Sequence, residues 1–310
     1  MHPFDGKIPF GCEGEVNKYM NYKISNNHLT VEISERGAEL QSIKGSDGTE
    51  YLWQGDPKYW SDRALTIFPY VARLTEGKYT FKGTTYEMPI HGFAPASNFM
   101  IDSQDADRIV MSIESNEETK KMYPFDFVFK VEFALDSNRL IVKYIVDNKG
   151  SSAMYFGLGG HPGFNVPMDK GLEFSDYRLD FIDAKNPTFI VFTDDCFVTD
   201  ERREFPLEEK RYYRLHHDMF DNDAIVLTDT SHKVKLSSDK GSHSVEMHFP
   251  DQDVFGFWHW PKTDAPYICL EPWSSLPSRK DIIEDLEDQP DLIRLEGNST
   301  YTTAFDITFK

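Results

Sequence analysis

The stretch FDFVFKVEFALDSNRLIVKYIVDN, residues 125–148, decides the fold class of this 310-residue chain. Two long runs in which apolar and polar residues alternate flank Asp136-Ser137-Asn138, residue types that are typical of turns. Alternation with a period of two places every second side chain on the same face of an extended segment, which is the pattern of a half-buried strand. The stretch therefore predicts two long strands joined by a turn.

The same alternation recurs along most of the chain. HLTVEISE (residues 28–35) predicts a further strand, and GKYTFKGTTYEMP (residues 77–89) predicts a hairpin that turns at Lys82-Gly83. Helix is favoured only by two short charged segments, SNEETKKMY (residues 115–123) and SRKDIIEDLED (residues 278–288). Additional strands are predicted by AIVLTD, KVKLSS, SVEMHFP and TTAFDITF.

The composition also favours a sheet-rich fold. The 24 Phe and 15 Tyr suit strands better than helices, and the chain has no nucleotide-binding GxGxxG or Walker loop. We predict an all-β protein, a large antiparallel β-sandwich of two sheets packed face to face with few short helices. No linker divides the chain, so residues 20–310 are predicted to form this domain. Residues 1–19, which lack periodicity, are predicted to be an N-terminal extension.

Charge and cysteine content exclude several classes of function. The 33 basic and 52 acidic residues give a net charge of −19, which repels nucleic acid and anionic lipid surfaces. Cys12, Cys196 and Cys269 are far apart and lack metal-site spacing, so we predict neither a disulfide framework nor a bound metal. Neither a membrane span nor a signal peptide is evident, and we expect a cytoplasmic protein.

Four segments carry residue types that are suited to catalysis. RALTIFPYVARLTEGKY contains Arg63 and Arg73, and MPIHGFAP contains His91. GLGGHPGFN places His161 among four glycines, and PYICLEPWSS places Glu271 after an apolar run. Each residue taken alone has an ordinary structural interpretation, because single histidines are often structural, strand-end glutamates are often solvated, and arginines often stack on aromatic rings.

Glu271 is the strongest single candidate for chemistry. Its apolar neighbours and the following Trp273 predict a partly desolvated carboxyl group. Desolvation raises the pKa of a carboxyl group toward the range in which it transfers protons near neutral pH. The indole of Trp273 also offers a flat apolar surface on which a sugar ring can stack.

Taken together, the segments resemble the galactose mutarotase (aldose 1-epimerase) family, and most closely its LacX-type branch. The resemblance rests on FPYVARL followed by GKYTFKGTTYEMPIHGFA, then GLGGHPGFN, then YICLEPW, and finally LEGNSTYTTAFDITF. It extends from about Tyr22 to the C-terminus. The resemblance implies a β-supersandwich that opens and closes hexose rings by acid/base catalysis, with a small-molecule sugar as its partner and without a metal, nucleotide or redox cofactor.

The resemblance also implies roles for individual residues. Glu271 corresponds to the general base, and His161 corresponds to the general acid. His91 corresponds to a second contact with the ring oxygen or a hydroxyl group, and Arg73 corresponds to a ligand of sugar hydroxyls. The family also uses an aspartate before a later strand, which the segment MFDNDAIVL supplies as Asp223 or its near alternative Asp221.

Several alternatives stay open at this stage. A hexose-6-phosphate 1-epimerase would need cationic contacts, which Arg63 and Arg73 could supply. A non-catalytic carbohydrate-binding protein on the same fold would use Trp258, Trp260 and Trp273 as stacking platforms. A glycoside hydrolase would need two carboxylates flanking the scissile bond. Departures from the family pattern beside Arg73 leave the identity of the sugar open, and either a monomer or a homodimer is compatible with the sequence.

Overall fold

A computed structural model of the protein describes residues 19–182 and 186–310. The predicted N-terminal extension, residues 1–19, lies outside the described residues except for Tyr19. The described part of the chain consists mostly of strands, as the alternating pattern predicts. None of its helices is long and apolar enough to cross a membrane.

The strands of the described residues are numbered in chain order. They are β1 (Asn21–Ser25), β2 (Leu29–Ser34), β3 (Leu40–Gly45), β4 (Ala64–Ile67), β5 (Lys78–Phe81), β6 (Thr84–Glu87), β7 (Met100–Gln104), β8 (Arg108–Glu114), β9 (Phe127–Asp136), β10 (Arg139–Asn148), β11 (Met154–Phe156), β12 (Gly159–Asn165), β13 (Arg178–Phe181), β14 (Thr188–Phe192), β15 (Val198–Glu204), β16 (Tyr212–Arg214), β17 (Ile225–Thr228), β18 (Lys233–Ser237), β19 (Ser244–His248), β20 (Val254–Trp258), β21 (Tyr267–Trp273), β22 (Ile293–Leu295) and β23 (Thr300–Phe309).

Helices are few and short, as predicted. One α-helix, α1 (Glu117–Met122), forms in the first predicted helical segment, and Asn116 caps its N-terminus with hydrogen bonds to two backbone amides. Four 3₁₀ turns complete the helical structure of the described residues: Thr75–Gly77, Ala94–Ala96, Phe174–Asp176 and His217–Phe220.

The helix predicted for residues 278–288 is wrong. The backbone of this segment bonds to strand β5: Thr80 N–H donates to the carbonyl of Glu284, and Leu286 N–H donates to the carbonyl of Thr80. The Glu284 carboxylate also accepts hydrogen bonds from the Arg279 guanidinium. Tertiary hydrogen bonds therefore replace the helical ladder that the local sequence favours.

Two large antiparallel sheets make up the body of the molecule. The first has nine strands in the order β16-β13-β18-β19-β23-β10-β9-β8-β7, and the second has seven in the order β15-β14-β17-β20-β21-β12-β4. The two strands predicted from residues 125–148 are β9 and β10. Their pairing begins with Asp136 opposite Arg139 and ends with Phe127 opposite Asn148. Ser137 makes the turn between them with a φ of 56°. Smaller sheets of two or three strands flank the two large ones.

The two large sheets pack face to face through aromatic side chains. Phe181 of the nine-stranded sheet lies 6.3 Å from Phe255 of the seven-stranded sheet, measured between ring centroids. A Cβ atom on Gly160 of β12 would lie 2.8 Å from the ring of Phe305 of β23, so only glycine permits this approach. The sandwich predicted from the sequence is thus confirmed.

The seven-stranded sheet has a second face, which points away from the sandwich core. Phe255, Phe257, Ile268 and Leu270 project into the core between the sheets. Because side chains alternate along a strand, the intervening residues of β12, β20 and β21 project to the opposite side, which we call the outer face. On β21 these outward residues include Cys269, Glu271 and Trp273, and on β12 they include Gly159, His161 and Gly163.

Candidate active site

His161 and Glu271 face each other on the outer face of the seven-stranded sheet. The pairs Gly159–Trp273 and Gly163–Cys269 flank them on either side in the β12–β21 ladder, which places the two residues directly across from one another. His161 Nε2 lies 3.1 Å from Glu271 Oε2. Only 7% of His161 and 1% of Glu271 is exposed, so both groups that the sequence singles out for proton transfer are largely removed from water.

Burial shifts the acidities of the two groups in opposite directions. It raises the pKa of Glu271 well above its usual range, and the negative charge of Asp223 raises this pKa further. The nearby Trp273 indole lowers it. Burial also lowers the pKa of His161 well below its usual range, and the charge of His91 adds to this effect. Both shifts disfavour the charged form of the group concerned.

Two polar atoms of the pair have no hydrogen bond within the described residues. They are Glu271 Oε2 and His161 Nδ1, and both are buried. Buried polar atoms of native proteins are nearly always hydrogen-bonded, so exceptions call for an explanation such as a bound ligand. The pair therefore has unused capacity to bind polar atoms.

Apolar residues line both sides of the pair. One group, which we call the tryptophan cluster, consists of Trp53, Trp60, Trp258, Ala265, Tyr267 and Cys269. The other, the aliphatic cluster, consists of Ile67, Val71, Ile190, Val198, Val226 and Val254 around Trp273. Trp273 thus lies on the outer face with Glu271, where it is buried against aliphatic side chains.

Trp60 and Trp258 bring aromatic rings against His161. Their ring centroids lie 5.0 Å and 5.7 Å from the centroid of the imidazole. A Cβ atom on Gly163 would lie 3.2 Å from the Trp60 ring, so this glycine leaves room for the indole. Sequence analysis missed Trp60, because it lies in the irregular segment between β3 and β4 and belongs to no motif.

His91 reaches the site from the loop that follows β6. Its ring lies edge-on to His161 with a centroid distance of 5.3 Å, and its buried Nδ1 has no hydrogen bond within the described residues. Burial and the charge of Arg73 lower the pKa of His91 to about 4. The next residue, Gly92, has a φ of 76°, and a Cβ atom there would lie 2.1 Å from the carbonyl oxygen of Phe68. His91 N–H donates to the carbonyl of Ala72, and its own carbonyl accepts from Phe68 N–H, so these backbone bonds hold His91 in place.

Arg73 and Asp223 lie at the periphery of the pair. Arg73 Nη1 donates a 3.0 Å hydrogen bond to the carbonyl of Asp195, and its charge acts on His91. Asp223 accepts hydrogen bonds from the thiol of Cys196 and from the amide of Ala224, and its charge acts on Glu271.

Two other candidate residues do not lie beside the pair of His161 and Glu271. Asp221 is exposed and ends the 3₁₀ turn His217–Phe220. The guanidinium of Arg63 donates to the side chain of Gln41 and, over 3.0 Å, to the carbonyl of Gln54. Although Arg63 begins the segment that leads to Arg73, its hydrogen bonds direct it toward β3 instead of toward Glu271.

One cluster of potential metal ligands lies within the described residues. His161, Cys269 and Glu271 each contribute one ligand atom, and these three atoms all lie within 4.8 Å of one another. All three residues are buried. The cluster includes the proton-transfer candidates themselves, so any occupant would contact them directly.

Comparisons with known proteins agree with this fold. Residues 20–283 match the family described as Aldose 1-epimerase. The chain is 29% identical over 299 residues to the plasmid form of protein LacX from Lactococcus lactis subsp. lactis, a match that covers 93% of this chain and 99% of LacX.

Solved structures extend the comparison to three dimensions. A galactose mutarotase related enzyme from Lactobacillus acidophilus superimposes with a TM-score of 0.90 at 35% identity, over 94% of this chain and 97% of that chain. A galactose mutarotase-like protein from Lactobacillus casei superimposes with a TM-score of 0.89 at 28% identity, over 94% of this chain and 100% of that chain. The sandwich is therefore a galactose mutarotase-like fold, and the chain belongs to the aldose 1-epimerase family.

Proposed function

We propose that the protein is an aldose 1-epimerase, a cofactor-independent isomerase that interconverts the α and β anomers of a hexose. The observation that carries the proposal is the buried pair, with Glu271 Oε2 and His161 Nε2 3.1 Å apart on the outer face. A carboxyl group and an imidazole at this separation form an acid/base couple for proton transfer to and from a bound sugar.

The reaction needs one proton removed and one delivered. Transfer of the carboxyl proton of Glu271 to His161 gives the reactive arrangement of the pair. Glu271 as carboxylate then takes the proton of the C1 hydroxyl, and His161 as imidazolium gives its proton to the ring oxygen while the bond between C1 and that oxygen breaks. The aldehyde turns about its C1–C2 bond, and the ring closes with the two roles exchanged. The pair thus alternates between two arrangements of a single proton. Each positioned group of this kind contributes typically ~10²–10⁴-fold to the rate.

The surrounding residues suit a sugar. His91, Arg73 and Asp223 supply donors and acceptors for hydroxyl groups, in the roles that the family resemblance implies. The rings of Trp60 and Trp258 supply apolar surface beside His161. Aromatic walls with a few polar groups at defined positions are typical of small-molecule sites.

The other candidate functions lack a comparable observation. A hexose-6-phosphate substrate would need free cationic contacts, but Arg63 is hydrogen-bonded to Gln41 and Gln54. A non-catalytic sugar-binding protein would have no use for a buried carboxyl group beside an imidazole. We also infer that the protein works in the cytoplasm, because Cys196 and Cys269 are free thiols, which persist in reducing compartments.

Polarimetry of freshly dissolved α-D-glucose and α-D-galactose tests the proposal. Wild type should accelerate the drift to anomeric equilibrium, and Glu271→Gln and His161→Asn should each slow catalysis at least ~10²-fold. Glu246→Gln and His248→Asn serve as matched controls, since both residues lie on β19 and form surface ion pairs. Circular dichroism checks that every variant is folded.

Two outcomes would argue against the proposal. If wild type accelerates mutarotation of neither sugar, exchange NMR with the 6-phosphates tests the phosphorylated alternative. If the anomers of the 6-phosphates do not exchange faster either, the protein is not an epimerase of these sugars. If the control variants lose as much activity as Glu271→Gln and His161→Asn, the pair has no special role in the reaction.

A further inference from the structure

A third side chain with affinity for metals stands beside the acid/base pair. Cys269 precedes Glu271 by two residues on β21, so both side chains project from the outer face. Cys269 is fully buried, and its pairing partner on β12 is Gly163, which has no side chain. One ligand atom from each of His161, Cys269 and Glu271 lies within 4.8 Å of the other two.

This arrangement matches the coordination chemistry of zinc. Zn²⁺ binds thiolate sulfur, imidazole nitrogen and carboxylate oxygen at about 2.0–2.3 Å, so neighbouring ligands of a tetrahedral ion lie about 3.5 Å apart. His161 Nε2 and Glu271 Oε2 are separated by 3.1 Å, and the sulfur completes a triangle whose sides do not exceed 4.8 Å. We expect small side-chain rotations to bring the three ligand atoms onto one ion, with a fourth position left for solvent.

A second observation points to a ligand at this place. Glu271 Oε2 is buried and makes no hydrogen bond with any described residue, although Glu271 is only 1% exposed. A cation would satisfy this oxygen and compensate the buried carboxylate. The net charge of −19 also concentrates cations around the protein.

We propose that a thiophilic divalent cation, Zn²⁺ or its analogue Co²⁺, binds to His161, Cys269 and Glu271 and inhibits the enzyme. The Cys269 thiol and the Glu271 carboxyl group each release a proton to the buffer, and bonds from the metal to the sulfur, the carboxylate oxygen and the neutral imidazole nitrogen form. The ion then occupies the lone pairs through which the pair transfers protons. Binding follows from the cluster itself, whereas inhibition rests on the proposed epimerase function. The ion is an inhibitor in this proposal, since ring opening needs no metal.

The test uses the full-length protein freed of metal with a chelator. Co²⁺ is titrated while the thiolate-to-cobalt charge-transfer band is recorded, and Zn²⁺ affinity is measured by calorimetry. Wild type should bind one Co²⁺ with a thiolate band that Zn²⁺ abolishes. Cys269→Ala should lose the band and weaken Zn²⁺ binding at least ~100-fold, since even an outer-shell partner contributes 10–100-fold. Cys196→Ala, which removes the other described thiol, should behave like wild type.

The possible outcomes separate the two proposals. A thiolate band that survives in Cys269→Ala, or that disappears in Cys196→Ala, would place the ion elsewhere and overturn this inference. Glu271→Gln gives a second check if Cys269→Ala is unstable, because it too should weaken Co²⁺ binding. Polarimetry with and without Zn²⁺ then measures inhibition, and Zn²⁺ should slow mutarotation by wild type. Turnover without a thiolate band refutes the metal site alone, whereas a Cys269-dependent band without turnover refutes the proposed function alone.

Discussion

The hydroxyl of Tyr144 donates a hydrogen bond of 3.1 Å to the carbonyl oxygen of Gly159. Tyr144 lies on β10 in the nine-stranded sheet, and Gly159 begins β12, the strand that carries His161. The bond therefore crosses the sandwich core and anchors β12 on the side that faces the core. The bond thus helps to hold the strand whose outer face carries His161.

Removing this bond should cost stability without removing a catalytic group. Tyr144→Phe leaves the rest of the ring in place but deprives the buried Gly159 carbonyl of one donor, which should lower the free energy of unfolding by about 1 kcal/mol. Urea denaturation measures the change. Tyr22→Phe is the control, because the Tyr22 hydroxyl forms no hydrogen bond with the described residues, and an equal loss in both variants would contradict the prediction.

Gly92 should tolerate no side chain. Gly92→Ala places a Cβ atom 2.1 Å from the Phe68 carbonyl at a φ of 76°, and we expect a loss of roughly 1–3 kcal/mol in the free energy of unfolding. Gly83→Ala is a matched control, since Gly83 has a φ of 77° but nothing within 4 Å of the added atom. The difference between the two variants in urea denaturation isolates the steric contact. Equal losses would show that backbone strain alone is responsible.

Asp223 and Asp221 should differ sharply in their effect on substrate binding. If the Asp223 carboxylate binds a sugar hydroxyl, Asp223→Asn removes a charged hydrogen bond of about 1.5–3 kcal/mol, so KM should rise ~10- to 100-fold. Asp221→Asn should leave KM unchanged, because Asp221 is exposed and its charge does not act on Glu271. Initial rates of mutarotation at several sugar concentrations give KM. A larger effect at Asp221 would reverse the assignment.

His243 should make stability depend on pH. Its Nε2 lies 2.9 Å from Asp47 and its Nδ1 lies 2.7 Å from Asp169. Hydrogen bonds to Asp47 and Asp169 raise the pKa of His243, and hydrogen bonds with His243 help to lower the pKa of each aspartate to about 2. Tyr51, the other titratable group against the imidazole, has a pKa raised by burial to about 12 and stays neutral.

The sign of this effect follows from proton linkage. A raised histidine pKa gives stabilisation that is complete below the ordinary value of about 6.5 and is lost as the pH rises through the raised value. Both aspartates remain ionised over this range. The Tm difference between wild type and His243→Gln should therefore be larger at pH 6 than at pH 9, as measured by thermal unfolding. A difference that does not change with pH would contradict the prediction.

The alternating sequence pattern predicted the strands, and the family motifs predicted the candidates for proton transfer. Residues 127–148 form β9 and β10, and both the alternation and the turn at Ser137 lie within this single hairpin, so the local sequence is enough to predict it. The motifs identified His161 and Glu271, since each lies within a recognisable short segment. Local patterns failed at residues 278–288, where backbone bonds to Thr80 replace the helix that the charged sequence favours.

Only the tertiary structure decided how the candidates combine. Pairing of β12 with β21 sets His161 across from Glu271, and no periodicity in either segment specifies that pairing. Trp60 reaches His161 from an irregular loop, whereas hydrogen bonds to Gln41 and Gln54 direct Arg63 elsewhere. The physical reason is that strand alternation depends on neighbouring residues, while the choice of pairing partners depends on contacts between segments far apart in the chain.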